Sequence, residues 1–178
     1  MSASEFSRFV KVKPLHGDTL KLEASDAERA ALAARFGLPA ISSLVAEVEL
    51  EEDGKAVRAT GVLRADIIQA CAISGDDFTV SLNEPLALRF VEESLIDRDP
   101  ALEEGDIEIE LDAEDLDEMG YSGESFDLGE AIAQSLGLAI DPYAEGPNAE
   151  AARKQAGITG DDAPTGPLAE ALAALKKS

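Results

Sequence analysis

Apolar and polar residues alternate along three consecutive stretches of the chain, and turn residues stand between them. Leu44, Ala46, Val48 and Leu50 alternate with Val45, Glu47, Glu49 and Glu51, the period of two expected of a strand with one wet face. Asp53-Gly54 follows, the strongest hairpin signal in the chain, because both central positions of a type I′ turn need positive φ. The returning strand runs from Val57, and Leu63, Ala65, Ile67, Cys71 and Ile73 keep to odd positions with Arg64 and Asp66 opposite. Gln69 interrupts that apolar side once. After the polar knot Ser74-Gly75-Asp76-Asp77, the residues Phe78, Val80, Leu82, Leu86, Leu88 and Phe90 resume alternation against Thr79, Ser81 and Asn83, which predicts an antiparallel meander from Leu44 to Phe90.

Two helices flank the meander. Ser25 with Glu28 forms a capping box, Leu32 and Phe36 mark the packing face, and Gly37 with Pro39 closes the helix. The second helix starts at Asp127 with Glu130 as a D-x-x-E variant of the box, and Leu128, Ile132, Leu136 and Ile140 recur every four residues as the face meant for the sheet. Gly129 and Gly137 within it suit close approach to strands, at ~1 kcal/mol each relative to Ala. Asp141-Pro142 ends it.

The remaining segments are less regular. Thr19 to Glu23 is a short alternating stretch, and Glu5 to Leu15 reads as an edge strand or extended arm that carries Arg8, Lys11 and Lys13. Those cations suit either an exposed strand edge guarded against pairing with another chain or a nucleic-acid contact, and the edge reading is favoured. Eighteen acidic residues stand between Glu84 and Glu130 against Arg89 and Arg98 alone, so that region reads as a solvated, loop-rich excursion. Inside it Ile107, Ile109 and Leu111 alternate with Asp106, Glu108 and Glu110, a strand whose outer face is all carboxylate. Glu108, Glu110 and Asp112 are therefore candidates for holding a basic protein segment, with an ordinary solvated strand face as the plainer alternative. Residues 144–165 are poor in large apolar side chains and read as a flexible linker, with a brief helical turn at Ala149 to Gln155. Residues 166–178 form a short amphipathic helix, with Pro167 in its first turn and a stripe of Leu168, Leu172 and Leu175 that is either docked or offered to a partner.

The expected architecture is α+β: a meander-rich antiparallel sheet of five or six strands with two packed helices over residues 1–143, then the linker and the helical appendage. Composition changes the picture mainly through charge. Asp plus Glu total 37 against 15 Lys plus Arg, a formal net charge of -22. A field of that sign repels a phosphate backbone and favours basic partners, although high charge also serves solubility alone. One cysteine excludes an internal disulfide and a single histidine, His16, excludes a multi-histidine metal site. No apolar run approaches a membrane span and no secretory leader is evident, so the expected location is cytoplasmic, with no membrane partner.

Catalytic and cofactor readings find little support. Cys71 and His16 make a conceivable thiolate pair, but a cysteine on the inward parity of a strand behaves as a small core residue. Neighbouring carboxylates such as Glu92-Glu93 and Glu103-Glu104 lack the loop spacing of a calcium site, and Gly120 and Gly123 lack the lysine of a phosphate loop. The expectation is no enzyme, no cofactor and no metal.

Three blocks in order carry a family resemblance. They are Ala65-Asp66-Ile67-Ile68-Gln69-Ala70-Cys71 with Phe78 and Leu88-Arg89-Phe90; Phe126-Asp127-Leu128-Gly129-Glu130 through Ala139-Ile140-Asp141-Pro142-Tyr143; and Gly166-Pro167-Leu168-Ala169 to Leu175-Lys176-Lys177. Together they resemble the YceD family of large ribosomal RNA subunit accumulation proteins, most of all its alphaproteobacterial branch. Two departures stand out. Ser74 occupies the place of a second cysteine that many members carry in a C-x-x-C arrangement, so a zinc role does not carry over. Gly166 and Leu168 replace the usual Asn and Phe at the start of the terminal helix. The resemblance implies a non-enzymatic part in ribosome biogenesis. With the charge, it leads to the expectation of a basic ribosomal or assembly protein as partner, ribosomal RNA reached only indirectly and DNA not at all. The competing expectation is an RNA-binding protein that uses Arg8, Lys11 and Lys13.

Overall fold

A computed structural model describes residues 4–15, 17–96 and 117–157 of the chain. Its elements are β1 (Phe9–Lys11), β2 (Leu20–Glu23), α1 (Asp26–Phe36), β3 (Ala40–Asp53), β4 (Ala56–Ala70), β5 (Asp77–Glu92), α2 (Glu93–Ile96), β6 (Asp117–Tyr121), β7 (Ser125–Asp127), α3 (Leu128–Ala139) and α4 (Ala149–Ala156). The fold is α+β. A five-stranded sheet has the order β2-β3-β4-β5-β6, and β1 pairs with β7 in a separate two-stranded ribbon. The chain divides into two units, Met1–Gln69 with Thr79–Asp141 and Ala70–Phe78 with Pro142–Ser178. The tip after β4 thus groups with the residues after α3, and not with the α+β domain to which its sequence pattern assigned it.

In the first unit the meander forms as its alternation requires, with two differences. The β3–β4 register places Asp53 opposite Ala56, so the two loop residues are Gly54 and Lys55, one position later than expected. Gly54 supplies the positive φ that such a loop needs, at 65°. The second difference is that β6 lies parallel to β5, from Leu88 opposite Asp117 to Glu92 opposite Tyr121. A parallel neighbour needs a crossover in place of a tight turn, and the chain between Glu92 and Asp117 is long enough to supply one.

Inward residues of three strands, among them Leu44, Val48, Leu63, Ile67, Leu88 and Phe90, form one core with Leu32 of α1 and Leu128, Ile132 and Leu136 of α3. The rings of Phe90 and Phe126 stack at its end, 4.0 Å between centroids, an arrangement that adds to plain area burial. At Gly61 the neighbouring strand leaves no room for a side chain: a Cβ there would lie 1.9 Å from the Glu47 carbonyl oxygen. The helix glycines serve other neighbours than the strands anticipated for them. A Cβ on Gly129 would meet the Phe6 carbonyl oxygen at 2.5 Å, and one on Gly137 would meet the Phe36 ring at 2.8 Å. One admits the N-terminal segment and the other admits α1.

Both helix starts are capped, though not alike. Ser25 and Glu28 complete the reciprocal box, and Gly37 closes α1 in the left-handed conformation at φ 66°. At α3, the Asp127 side chain accepts from the Glu130 N–H. The Glu130 carboxylate does not return the bond; it goes to Arg35, because an arginine fork offers a carboxylate two charge-assisted bonds against one from an amide.

The second unit is built on a turn. β4 ends at Ala70, so Cys71 and Ile73 lie outside the strand alternation that their odd positions suggested. Cys71 N–H donates to Asp76 O at 2.8 Å, Gly75 N–H donates to Cys71 O at 2.9 Å, and Gly75 takes a φ of 75°. Ala72 N–H donates to Ala144 O at 3.0 Å, and Asn148 Nδ2 donates to Asp76 Oδ2 at 3.2 Å. Within the stretch read as linker, α4 occupies Ala149–Ala156 and ends on left-handed Gly157, one residue beyond the short helical turn anticipated there. The expected carboxylate strand at Ile107 to Leu111 and the expected C-terminal helix at 166–178 lie outside the described residues.

Candidate functional site

The N-terminal cations do not stand together as a free arm. β1 is zipped to β7, with Phe9 opposite Asp127 and Lys11 opposite Ser125. Arg8 is committed to Glu28, with Nη1 to Oε1 at 2.6 Å and Nη2 to Oε2 at 3.0 Å, and its guanidinium lies 4.5 Å from the centre of the Phe6 ring. The bond from Arg8 holds the Glu28 carboxyl down at about 2, with help from the Ser25 donors of the cap. Lys11 and Lys13 remain exposed. Of the three residues proposed for nucleic acid, then, the one best suited to grip a phosphate already holds a carboxylate.

Other arginines behave the same way. Arg35 reaches Glu130 at 2.9 Å and Glu5 at 3.0 Å; Arg64 reaches Glu47 at 3.2 Å, and Arg89 reaches both Glu118 at 2.5 Å and Asp53 at 3.2 Å. Arg58 lies 3.6 Å from Asp53, Arg29 pairs with Asp26, and Arg153 pairs with Glu145. All seven arginines among the described residues therefore face a carboxylate of this same chain.

A recess of about 580 Å³ opens at the Gly54 end of the sheet, within the size range of ligand cavities. Its polar wall is formed by Glu52, Glu92 and Glu124, with Lys13 and Lys55, and its apolar wall by Val12, Val57 and Tyr121. Two of these carboxylates arise from strand parity. By parity Glu52 follows the series Leu44, Ala46, Val48 and Leu50 of β3, though it is itself exposed, and Glu92 follows Leu86, Leu88 and Phe90 of β5, where it is half-buried. The sequence carried that signal, an acid where the next apolar residue of the series was due at the ends of two strands, yet alternation alone could not reveal that both strands end at one cavity. Glu92 stands opposite Tyr121 in the β5–β6 register. Tyr121 is 8% exposed, its ring leans on Phe126 at 6.1 Å, and burial together with the Glu92 charge raises its phenol above the usual value. Glu52 and Glu124 are exposed and Glu92 is half-buried.

In the second unit, the Cys71 thiol is buried but lies outside the main core. Its Sγ accepts the N–H groups of Ser74 at 3.3 Å and Ile73 at 3.4 Å. Bonds from Ser74, first its side chain and then its backbone, bring the thiol down to about 7. His16, the base that a thiolate pair with Cys71 would need, lies outside the described residues, as do Glu108, Glu110, Asp112, Leu168, Leu172 and Leu175. Among the described residues, no three His, Cys, Asp or Glu side chains come close enough together to hold a metal ion, and no helix is long and apolar enough to cross a membrane. Comparison of the chain with protein families, with curated proteins and with solved structures finds no match.

Proposed function

We propose that this chain is a YceD-type ribosome-biogenesis factor that supports accumulation of large-subunit ribosomal RNA. It acts in the cytoplasm as a binding protein, not an enzyme, by holding a basic ribosomal or assembly protein on its acidic surface. The observation that carries this reading is the fate of the arginines. With every described arginine paired internally and a net charge of -22, what the described surface has left to offer a partner is mostly carboxylate, with a few exposed lysines such as Lys11 and Lys13 beside it. Charge of that sign speeds encounter with a basic protein and opposes a phosphate backbone. The alternative, RNA binding by Arg8, Lys11 and Lys13, is weakened by the Arg8–Glu28 pair.

Capture of partners by the full chain with and without nuclease tests the proposal. A basic protein retained after RNA is destroyed, and lost as salt is raised, is the expected result. Tight binding of purified ribosomal RNA at physiological ionic strength, in the absence of any basic protein, would overturn it.

A further inference from the structure

We infer that the outward face of the five-stranded sheet receives the basic partner, through a segment of that partner in which lysine or arginine stands beside small apolar side chains. The inference rests on the proposed function and adds to it a surface. Parity sets the face: α1 and α3 pack with the inward residues of β3, β4 and β5, and the residues between those point the other way. An outward face that meets only water reads as polar throughout. This one does not. Val45 of β3 and Val62 and Ile68 of β4 are half-buried on it, and all three stand outside the core and the apolar residues packed against that core. On β5, the exposed Pro85 and Ala87 share the outward parity of Ser81. The β3–β4 register interleaves the apolar residues with charge, placing Val45 opposite Arg64, Val62 opposite Glu47 and Ser43 opposite Asp66.

Charge selects the occupant. The three central strands turn five carboxylates outward, Glu47, Glu49, Glu51, Asp53 and Asp66, against Arg58, Arg64 and Arg89. Arg64 answers Glu47 at 3.2 Å, and Arg58 and Arg89 both answer Asp53. Two acids thus take up the three arginines, and Glu49, Glu51 and Asp66 are what the face has to offer an incoming cation. Asp66 is held ready for one. Ser81 Oγ donates to its Oδ1 at 2.6 Å and Ser43 Oγ to its Oδ2 at 2.9 Å, which keeps the carboxyl below its ordinary range while each oxygen retains a lone pair to give. A second copy of this chain would bring the same charge of -22, and a nucleic-acid backbone would bring phosphate, so both are repelled where a basic segment is drawn in. Residues 97–116 hold ten acids against Arg98 and carry the same sign. The apolar residues give the bound segment something to bury, and the carboxylates between them fix its register.

The test is an amide-shift titration of the full chain with three acetylated and amidated peptides, KVRVKVR, KSRSKSR and EVEVEVE. KVRVKVR is expected to move the amides of Val45, Glu47, Val62 and Arg64, and EVEVEVE to leave them in place. KSRSKSR should bind about fivefold or more weakly, since it keeps the charge and loses the methyl groups that would be buried. Replacing Val45 and Val62 together by threonine, which preserves the β-branched shape, should weaken KVRVKVR by about fivefold. The pair Glu49→Gln and Glu51→Gln should weaken it by a similar factor, and serves if the threonine pair fails to fold. Equal binding of KSRSKSR, or peptide shifts that avoid these four amides, would overturn the inference. So would shifts at the same amides produced by raising the protein concentration alone, which mark a second copy, or by a ribosomal RNA hairpin. Two further outcomes separate the face from the function itself. A basic protein captured equally by wild type and by both paired variants overturns the face and leaves the function standing. KVRVKVR bound at these amides without capture of any basic protein overturns the function and leaves a docking face for basic peptides.

Discussion

Glu130 ties three segments of the chain together, and its removal should be measurable and pH-dependent. Its carboxylate accepts from Arg35 Nη2 at 2.9 Å and Nη1 at 3.1 Å, from Ser4 Oγ at 2.6 Å and from Gln134 Nε2 at 3.1 Å. Arg35 is the main reason that the Glu130 carboxyl falls from the usual 4.5 to about 2. A displacement of about 2.5 pH units corresponds to about 3.4 kcal/mol at neutral pH. That figure is a ceiling, because the side chain is 26% exposed and water screens part of the attraction; about 1–2 kcal/mol is the expected share. The native pKa is the depressed one, so this stability is fully present above the unfolded carboxyl's pKa and disappears as pH falls from about 4.5 toward 2. Urea unfolding of wild type and Glu130→Gln, followed by far-ultraviolet circular dichroism at neutral pH and at steps down to pH ~2.5, should show a gap of about 1–2 kcal/mol that closes with acid. Glu28 titrates in both proteins and cancels in the difference. A gap that stays constant through the acid range, or none at neutral pH, would refute the assignment.

Gly61→Ala should cost ~3 kcal/mol or more, since its Cβ would fall 1.9 Å from a backbone oxygen that cannot swing away; urea midpoints check this, and a loss under 1 kcal/mol would show that the sheet relaxes there. Phe126→Ala removes one ring of the Phe90 stack and should destabilise by about 3–5 kcal/mol in the same assay. Ser74→Ala should raise the Cys71 thiol from about 7 back toward 9, read as a shift in the thiolate absorbance titration, and an unmoved curve would mean that another group sets it.

Much of the architecture was legible because it depends on local rules. Period-two alternation placed β3, β4 and β5, and the caps at Ser25 and Asp127 fixed where α1 and α3 begin. What failed to show was set by neighbours distant in sequence. Alternation continued through Cys71 and Ile73 on paper, but hydrogen bonds from Cys71 N–H to Asp76 O and from Gly75 N–H to Cys71 O close a turn there, and parity says nothing about where a ladder stops. Glu130 has the spacing of a capping box, and only the tertiary approach of Arg35 diverts it. The recess was the least visible feature: Glu52 and Glu92 are 40 positions apart in the numbering and meet only because strand order and register bring two strand ends to one place.

The lengths of the strands carry a consequence for the protein's behaviour in a crowded solution. β2 pairs only with Val45–Val48 of β3, and β6 only with Leu88–Glu92 of β5. Long rows of backbone donors and acceptors on the two outermost long strands therefore have no ladder partner among the described residues. Such rows invite a second molecule to add itself. On β3 the open row carries Glu49, Glu51, Glu52 and Asp53, and on β5 it is interrupted by Glu84 and by Pro85, which has no N–H to give. Two copies that met along either row would bring like charges together or find a gap in the ladder, so this surplus of carboxylate also works as a built-in defence against fibre growth.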